Sequence, residues 1–440
     1  MWINLPLDVQ GESFDEQSAS GFVPPQEDLM EESCRVAEQI SETIRLLKSA
    51  RRPIVIAGNG IHLSRAHDSF RSFIDKVKAP VLLTVGAPDL LDEEDTQNMG
   101  RFGPLGQRRA NFALQNSDLL ISVGASMSVG SIGFNDKAFA PKATRIMVNI
   151  DGNEMEKPNF TPHLSIVADA GQFFKEFLKQ AAEFTFEPST KWMDVCRNWR
   201  EKYSTITPDY LADKEFVNSY YFARKLSDHL PSSAVVVTGN SLDFWSAYQS
   251  FGIRAGQRLF TNINYGAMGW DLPAGVGAAV ASRGRIVCLS TGDGSLLFNI
   301  QELMTIGKYR LALKIFVHNN QGYEAIRSTQ KNFFEGRFVG ADFQSGIGNP
   351  SFRDLASAFG LQYVHIARND DIERGLDEVF NIDGPVICEL NLSPVQARSP
   401  KTSTVRRPDG SMESRPLEDM FPFLPPEEVA RNMHLFDGEE

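Results

Sequence analysis

Two apolar runs, each ending in a polar turn and joined by a segment of helical spacing, constrain this chain more than anything else in it. The first is Ile286-Val287-Cys288-Leu289-Ser290, followed by Thr291-Gly292-Asp293-Gly294-Ser295. The second is Leu313-Lys314-Ile315-Phe316-Val317, followed by His318-Asn319-Asn320-Gln321-Gly322-Tyr323. Between them Leu297, Ile300, Leu303, Met304 and Ile306 recur close to a helical period. An apolar run that stops at a Gly-rich turn reads as a buried strand entering a loop. Strand, helix and strand, with both loops at the strands' carboxyl ends, make a βαβ unit. Open α/β sheets bind ligands at those ends.

The residue types at the two tips suggest a ligand. Asp293 offers a carboxylate oxygen and Asn320 an amide oxygen. Mg²⁺ takes a few hard oxygen ligands from protein and fills its other positions with phosphate oxygens and water. Gly292 and Gly294 allow the backbone close to a phosphate. Ser295 is expected to head a helix whose N-terminus favours anions. The two tips together therefore suit a Mg²⁺–diphosphate group. The plain alternative is turn chemistry, since Asp-Gly alone is a common turn.

The same strand–helix alternation extends upstream. Arg52–Gly60, Pro80–Val85, Asp118–Gly124 and Thr144–Asp151 read as strands, with a helix carrying Phe70, Phe73, Ile74 and Val77 after the first. Near-continuous apolar strands alternating with helices indicate parallel sheets covered on both faces. The fold class is α/β, with two doubly wound parallel-sheet domains: a Rossmann-like middle domain and a diphosphate-binding C-terminal domain. Expected bounds are a remnant strand and linker over 1–32, with the strand in Met1–Gln10 and Pro24-Pro25 in the linker. The middle domain follows over 33–183, opening on a helix from about Ser33 to Ala50. A connector over 184–213, the C-terminal domain over 214–395 and a tail over 396–440 complete the chain.

Composition excludes several classes. A formal net charge of −12 argues against nucleic acid, which needs a positive footprint. No apolar run approaches the roughly 20 residues of a membrane span. Four scattered cysteines form no Cys-x-x-Cys pair, and Cys288 and Cys388 read as small core residues. A reducing cytoplasm is the simplest compartment.

Gly-Asp-Gly and Asn-Asn at this interval resemble the diphosphate signature of thiamine diphosphate enzymes, and most of all the acetolactate synthase and pyruvate decarboxylase group. The resemblance implies that Asp293, Asn320 and the carbonyl of Gly322 hold Mg²⁺. Gly266-Ala267-Met268-Gly269 resembles the family segment beneath the cofactor's rings. Met268 would then be the wedge that bends the cofactor, and the Gly266 carbonyl would accept from its aminopyrimidine. Thr238-Gly239-Asn240-Ser241 resembles the first diphosphate loop, so Asn240 and Ser241 would assist the diphosphate. The implied activity is decarboxylation of a 2-oxo acid, pyruvate first, with carboligation. The alternatives are acyl transfer to a sugar or natural-product acceptor, a non-catalytic relative of the same fold, and a nucleotide-binding oxidoreductase.

The resemblance also implies a glutamate facing the pyrimidine, from an N-terminal domain. Met1–Gln10 resembles the end of such a domain, so a separate chain carrying the pyrimidine-binding domain is the expected partner, within a hetero- or homo-oligomer. Acetolactate synthases hold FAD in the middle domain, and Gly103-Pro104-Leu105-Gly106 matches a Gly-rich segment there. Against FAD, Gly58-Asn59-Gly60 lacks the last glycine of a dinucleotide fingerprint, and Gly124-Ala125-Ser126-Met127 lacks the group's arginine. Arg101, Arg108 and Arg109 are candidates for an anionic ligand, or for a solvated surface. Tyr323, Glu324 and Arg327, in the loop over 322–350, are candidates for substrate contact, or for loop packing. The tail is expected either to fold over the site or to pack on its own subunit.

Overall fold

The structure, a computed structural model, describes residues 4–22, 29–262, 265–282, 284–407 and 409–436. Strands β1 (Pro53–Ala57), β2 (Val81–Leu83), β3 (Asn98–Arg101), β4 (Leu119–Val123), β5 (Thr144–Asn149) and β6 (Leu164–Val167) form one sheet. Their order is β3-β2-β1-β4-β5-β6, and every pairing is parallel. All residues of β1 and β4 are buried, as expected when helices cover both faces. One face carries Phe70, Phe73, Phe173, Phe174 and Phe177, from the helices His67–Val77 and Ala170–Gln180. The other carries Trp192 and Trp199 from the helix Thr190–Lys202, together with Leu417 and Phe436 of the tail.

The second sheet contains β7 (Val235–Thr238), β8 (Arg258–Thr261), β9 (Val287–Gly292), β10 (Leu313–Asn319), β11 (Gln362–Ile366) and β12 (Val386–Asn391). Its order is β11-β12-β10-β9-β7-β8, again all parallel. The chain leaves β7 toward β8, then returns to lay β9 on the other side of β7. Strand order thus reverses at β7 and β9, where a crevice opens at the strands' carboxyl ends. The two doubly wound sheets are those the sequence implies.

Several local expectations need correction. Leu7–Gln10 is one exposed helical turn, not a strand: Gln10 N–H bonds the Pro6 carbonyl at 3.0 Å. Met1–Ile3, and Val23–Asp28 with Pro24-Pro25, lie outside the described residues. The first long helix starts at Leu29, not Ser33, and runs to Ser49. Strands β3 and β6 were not anticipated; each has 4 residues, and β3 reads Asn-Met-Gly-Arg, without an apolar run. The segment between β9 and β10 forms two helices, Asp293–Leu297 and Glu302–Tyr309, rather than one. The expected loop after Gly322 begins with a ten-residue helix, Glu324–Phe333.

The three candidate arginines are engaged by groups of the chain itself. Arg101 is buried and donates to the carbonyls of Tyr248 and Phe251, each at 2.9 Å, at the C-terminal end of the helix Leu242–Ser250. A cation there complements the helix dipole. Arg109 is buried beside Glu93 at 3.5 Å, and Arg108 donates to the Met420 carbonyl at 3.2 Å. Gln107 Nε2 also reaches the Gln249 carbonyl at 2.7 Å. The Arg101 and Gln107 bonds hold the C-terminal end of the helix that Ser241 caps at its start. The tail packs mainly on the first sheet's layer: Asn111 Nδ2 bonds the Leu417 carbonyl at 3.0 Å and Gln115 Nε2 the Glu418 carboxyl at 2.6 Å.

Candidate cofactor site

Three loops meet at the carboxyl ends of β7, β9 and β10: residues 239–241, 292–295 and 320–322. Asp293 is buried, and its carboxylate accepts three hydrogen bonds, one at Oδ1 and two at Oδ2, which leaves Oδ1 room for a further partner. Oδ1 accepts from Gly294 N–H at 2.8 Å. Oδ2 accepts from Gly322 N–H at 3.0 Å and from Asn349 Nδ2 at 2.9 Å. Burial pushes its pKa up; the bonds from Asn349, Gly322 and Gly294 act against that. A divalent cation would reverse the balance in favour of the ionised form.

Asn320 is the second proposed ligand. It is 5 % exposed, and its Oδ1 is buried with no hydrogen-bond donor among the described residues. A buried amide oxygen without a donor costs about 1–3 kcal/mol, so it needs a reason. Its loop is held from behind. Arg327 donates to the Asn320 carbonyl and to the Gln321 carbonyl, each at 3.0 Å. Gln321 adopts φ +59°, and Ser241 on the neighbouring loop φ +75° with ψ −137°. Non-glycine residues in such conformations cost about 1–3 kcal/mol and persist only where the surroundings dictate them.

A side chain added at Gly292 would meet nothing within 4 Å, so the backbone there is open to a ligand. Gly294 differs: a Cβ would lie 2.1 Å from Tyr323 Cε1 and 3.3 Å from Met268 Cε. Gly294, Tyr323 and Met268 are therefore in contact, and Met268 is half-buried beside the loop tip. Asn240 Nδ2 bonds the Gly266 carbonyl, bringing two more of the expected residues together. A carbonyl has a second lone pair, so this bond leaves room for one further donor.

Two expectations change here. Ser295 does not head its helix; Gly292 is the N-cap, and the helix has only 5 residues. The Ser295 hydroxyl is used internally, donating to Asp271 Oδ1 at 3.1 Å and accepting from Gly269 N–H at 2.9 Å. Arg327 grips the backbone of the Asn320 loop, and Glu324 meets Arg398 with Nε to Oε2 at 2.9 Å. That ion pair has the distance but not the angle of a hydrogen bond, since Arg398 Nε finds no aligned acceptor. Sequence reasoning missed Asn349 and the buried Asp243 and Asp271. Only Asp271 carried a signal, as a lone carboxylate opening an otherwise apolar and small helix.

Comparison with known proteins matches residues 238–390 to the thiamine pyrophosphate enzyme C-terminal TPP binding domain and residues 40–177 to the central domain of the same enzymes. The acetolactate synthase isozyme 2 large subunit of Escherichia coli (strain K12) is 30% identical over 421 residues, covering 95% of this chain and 72% of that protein. The chain belongs to the thiamine pyrophosphate enzyme family. The acetolactate synthase large subunits of Parasynechococcus marenigrum and Cyanidium caldarium are 29% and 28% identical, over 89% and 80% of this chain. The chain spans 62% and 59% of their lengths. In family terms, the three loops lie in the segment matched to the TPP binding domain. Among the described residues, no helix is long and apolar enough to cross a membrane.

Proposed function

We propose that this chain binds thiamine diphosphate through Mg²⁺ and acts as an acetolactate synthase-like enzyme on a 2-oxo acid, pyruvate first. The buried, donorless Oδ1 of Asn320, on a loop tip tied to Asp293 through Gly322 N–H, carries the reading. Asp293 Oδ1 and Oδ2, Asn320 Oδ1 and the Gly322 carbonyl are the oxygen donors that would hold the ion, which suits the hard-oxygen preference of Mg²⁺. Gly292 gives the diphosphate backbone access, with Gly294 and Ser295 in the same turn and Asn240 and Ser241 on the facing loop. Met268 and the Gly266 carbonyl would set the relation between the two rings. The bound cofactor supplies a carbon nucleophile at its thiazolium, and the protein's part is to position and activate it.

Activation needs an acid–base group at the pyrimidine, which we assign to a glutamate on a second chain carrying the pyrimidine-binding domain. Supporting a covered surface here, Tyr265 is 88% exposed and Phe298 60%, each next to the cofactor loops. The relatives are named large subunits, which is consistent with a multi-chain enzyme. A middle domain without FAD is favoured because Gly58-Asn59-Gly60 lacks the last glycine of a dinucleotide fingerprint and Gly124-Ala125-Ser126-Met127 lacks the arginine of the acetolactate synthases.

The test is CO₂ release and acetolactate formation from pyruvate, with thiamine diphosphate and Mg²⁺, by the full chain alone and with the second chain. Turnover that requires both chains and both cofactors is expected. Full activity of the chain alone would remove the second-chain assignment, and no binding of thiamine diphosphate under any condition would remove the whole reading.

A further inference from the structure

The helix Asp271–Ala281 opens on a carboxylate that is completely buried. Asp271 accepts three hydrogen bonds: from Thr291 Oγ1 at 2.5 Å, from Ser295 Oγ at 3.1 Å and from Leu272 N–H at 3.0 Å. Thr291 and Ser295 stand two residues before and two residues after Asp293. The Ser295 hydroxyl passes the connection on, accepting from Gly269 N–H at 2.9 Å, next to Met268. Asn299 Nδ2 holds the Gly269 carbonyl at 2.7 Å. One carboxylate thus spans both flanks of the proposed metal loop and the loop bearing the wedge.

The third loop meets the same group. A Cβ on Gly239 would lie 2.4 Å from Asp271 Oδ2 and 2.8 Å from Asp243 Oδ2, so only glycine fits between the two carboxyls. Asp243 Oδ2 accepts from Gly239 N–H at 2.7 Å, while its Oδ1 is buried without a partner among the described residues. Burial raises the pKa of both carboxyls, and the Asp271 charge adds to the rise at Asp243.

We propose that Asp271 is a positioning residue: its carboxylate sets the register between the Asp293 loop and the Met268 loop that a cofactor spanning both loops requires. The proposal rests on the cofactor reading above. A buried carboxylate costs several kcal/mol unless fully bonded, and packing alone would be served as well by an apolar side chain at this site. Its two side-chain partners, Thr291 at the end of β9 and Ser295 in the following turn, flank Asp293.

Calorimetry on the full chain tests it, using thiamine diphosphate with Mg²⁺ and, separately, inorganic diphosphate with Mg²⁺. Asp271→Asn keeps the shape but turns one acceptor oxygen into a donor facing a hydroxyl. It should weaken thiamine diphosphate about 10–100-fold, the range for removing a group that orients a ligand's contacts. Inorganic diphosphate, which engages only the loop tips, should change by less than about threefold on the same grounds. Ser295→Ala removes both the bond to Asp271 and the bond from Gly269 N–H, so it breaks the link between the two loops and should repeat the selective loss, with a thermal melt to show that the chain stays folded. Asp293→Ala should lose both ligands. Equal loss of both ligands in Asp271→Asn and Ser295→Ala, or undiminished thiamine diphosphate binding, overturns the proposal. Failure of the unaltered chain to bind either ligand, both alone and with the second chain, overturns the proposal together with the cofactor reading, a result distinct from a silent Asp271→Asn.

Discussion

Asp293 Oδ2 accepts a hydrogen bond from the backbone amide of Gly322 at 3.0 Å, so the loop after β9 and the loop after β10 touch. The parallel register of the two strands brings this about, pairing His318 with Gly292 at their carboxyl ends. A residue just past either strand end is then within reach of the other loop.

Gly294→Ala should damage the site without damaging the core. Its Cβ would fall 2.1 Å from Tyr323 Cε1, closer than any relaxed contact, so the ring must move. Tyr323 opens the segment that follows Gly322, and its displacement should lower affinity for thiamine diphosphate by about tenfold or more, about 1.4 kcal/mol. Calorimetry with a parallel thermal melt separates this from unfolding.

Arg327→Ala should loosen the Asn320 loop. Two carbonyls lose their donors, and Gln321 loses the support that holds φ +59°. Leaving buried acceptors unpaired costs about 1–3 kcal/mol each. The expected result is a weaker dependence of cofactor binding on Mg²⁺ and faster hydrogen exchange over residues 320–323. Arg327→Lys should recover only part, since one ammonium cannot match the two-pronged guanidinium.

The tail gives a pH prediction. Burial raises the pKa of Glu418, and Gln115 Nε2, donating to it, offsets part of that rise. A carboxyl with a raised folded pKa stabilises fully below its unfolded value of 4.5 and loses that contribution as pH rises through the folded value. Glu418→Gln should therefore raise the melting temperature at pH 7 and leave it unchanged near pH 4, which thermal melts at the two pH values check.

The sheets were legible because buried parallel strands leave continuous apolar runs, as in β4, β9 and β10. Strands without such a run, β3 above all, were not. That the Asp293 loop and the Asn320–Gly322 loop meet was legible from chemistry and spacing. The role of Arg327 was not, because a guanidinium that turns back on its own loop looks in sequence like one facing a substrate. Asn349 was hidden for a related reason: it returns to Asp293 across 56 residues of intervening chain. The short helix after Gly292 was misread because Ser295, a favoured cap residue, spends its hydroxyl on Asp271 and Gly269 instead.

The central claim is that Asp293 and Asn320 grip one ion. A double-mutant cycle in thiamine diphosphate binding, with and without Mg²⁺, tests it most directly, using Asp293→Ala, Asn320→Ala and the pair. Each single change should weaken Mg²⁺-dependent binding by about tenfold or more, and the pair should be little worse than the poorer single. Losses that simply add, or a single change that leaves affinity intact, would contradict a shared ion.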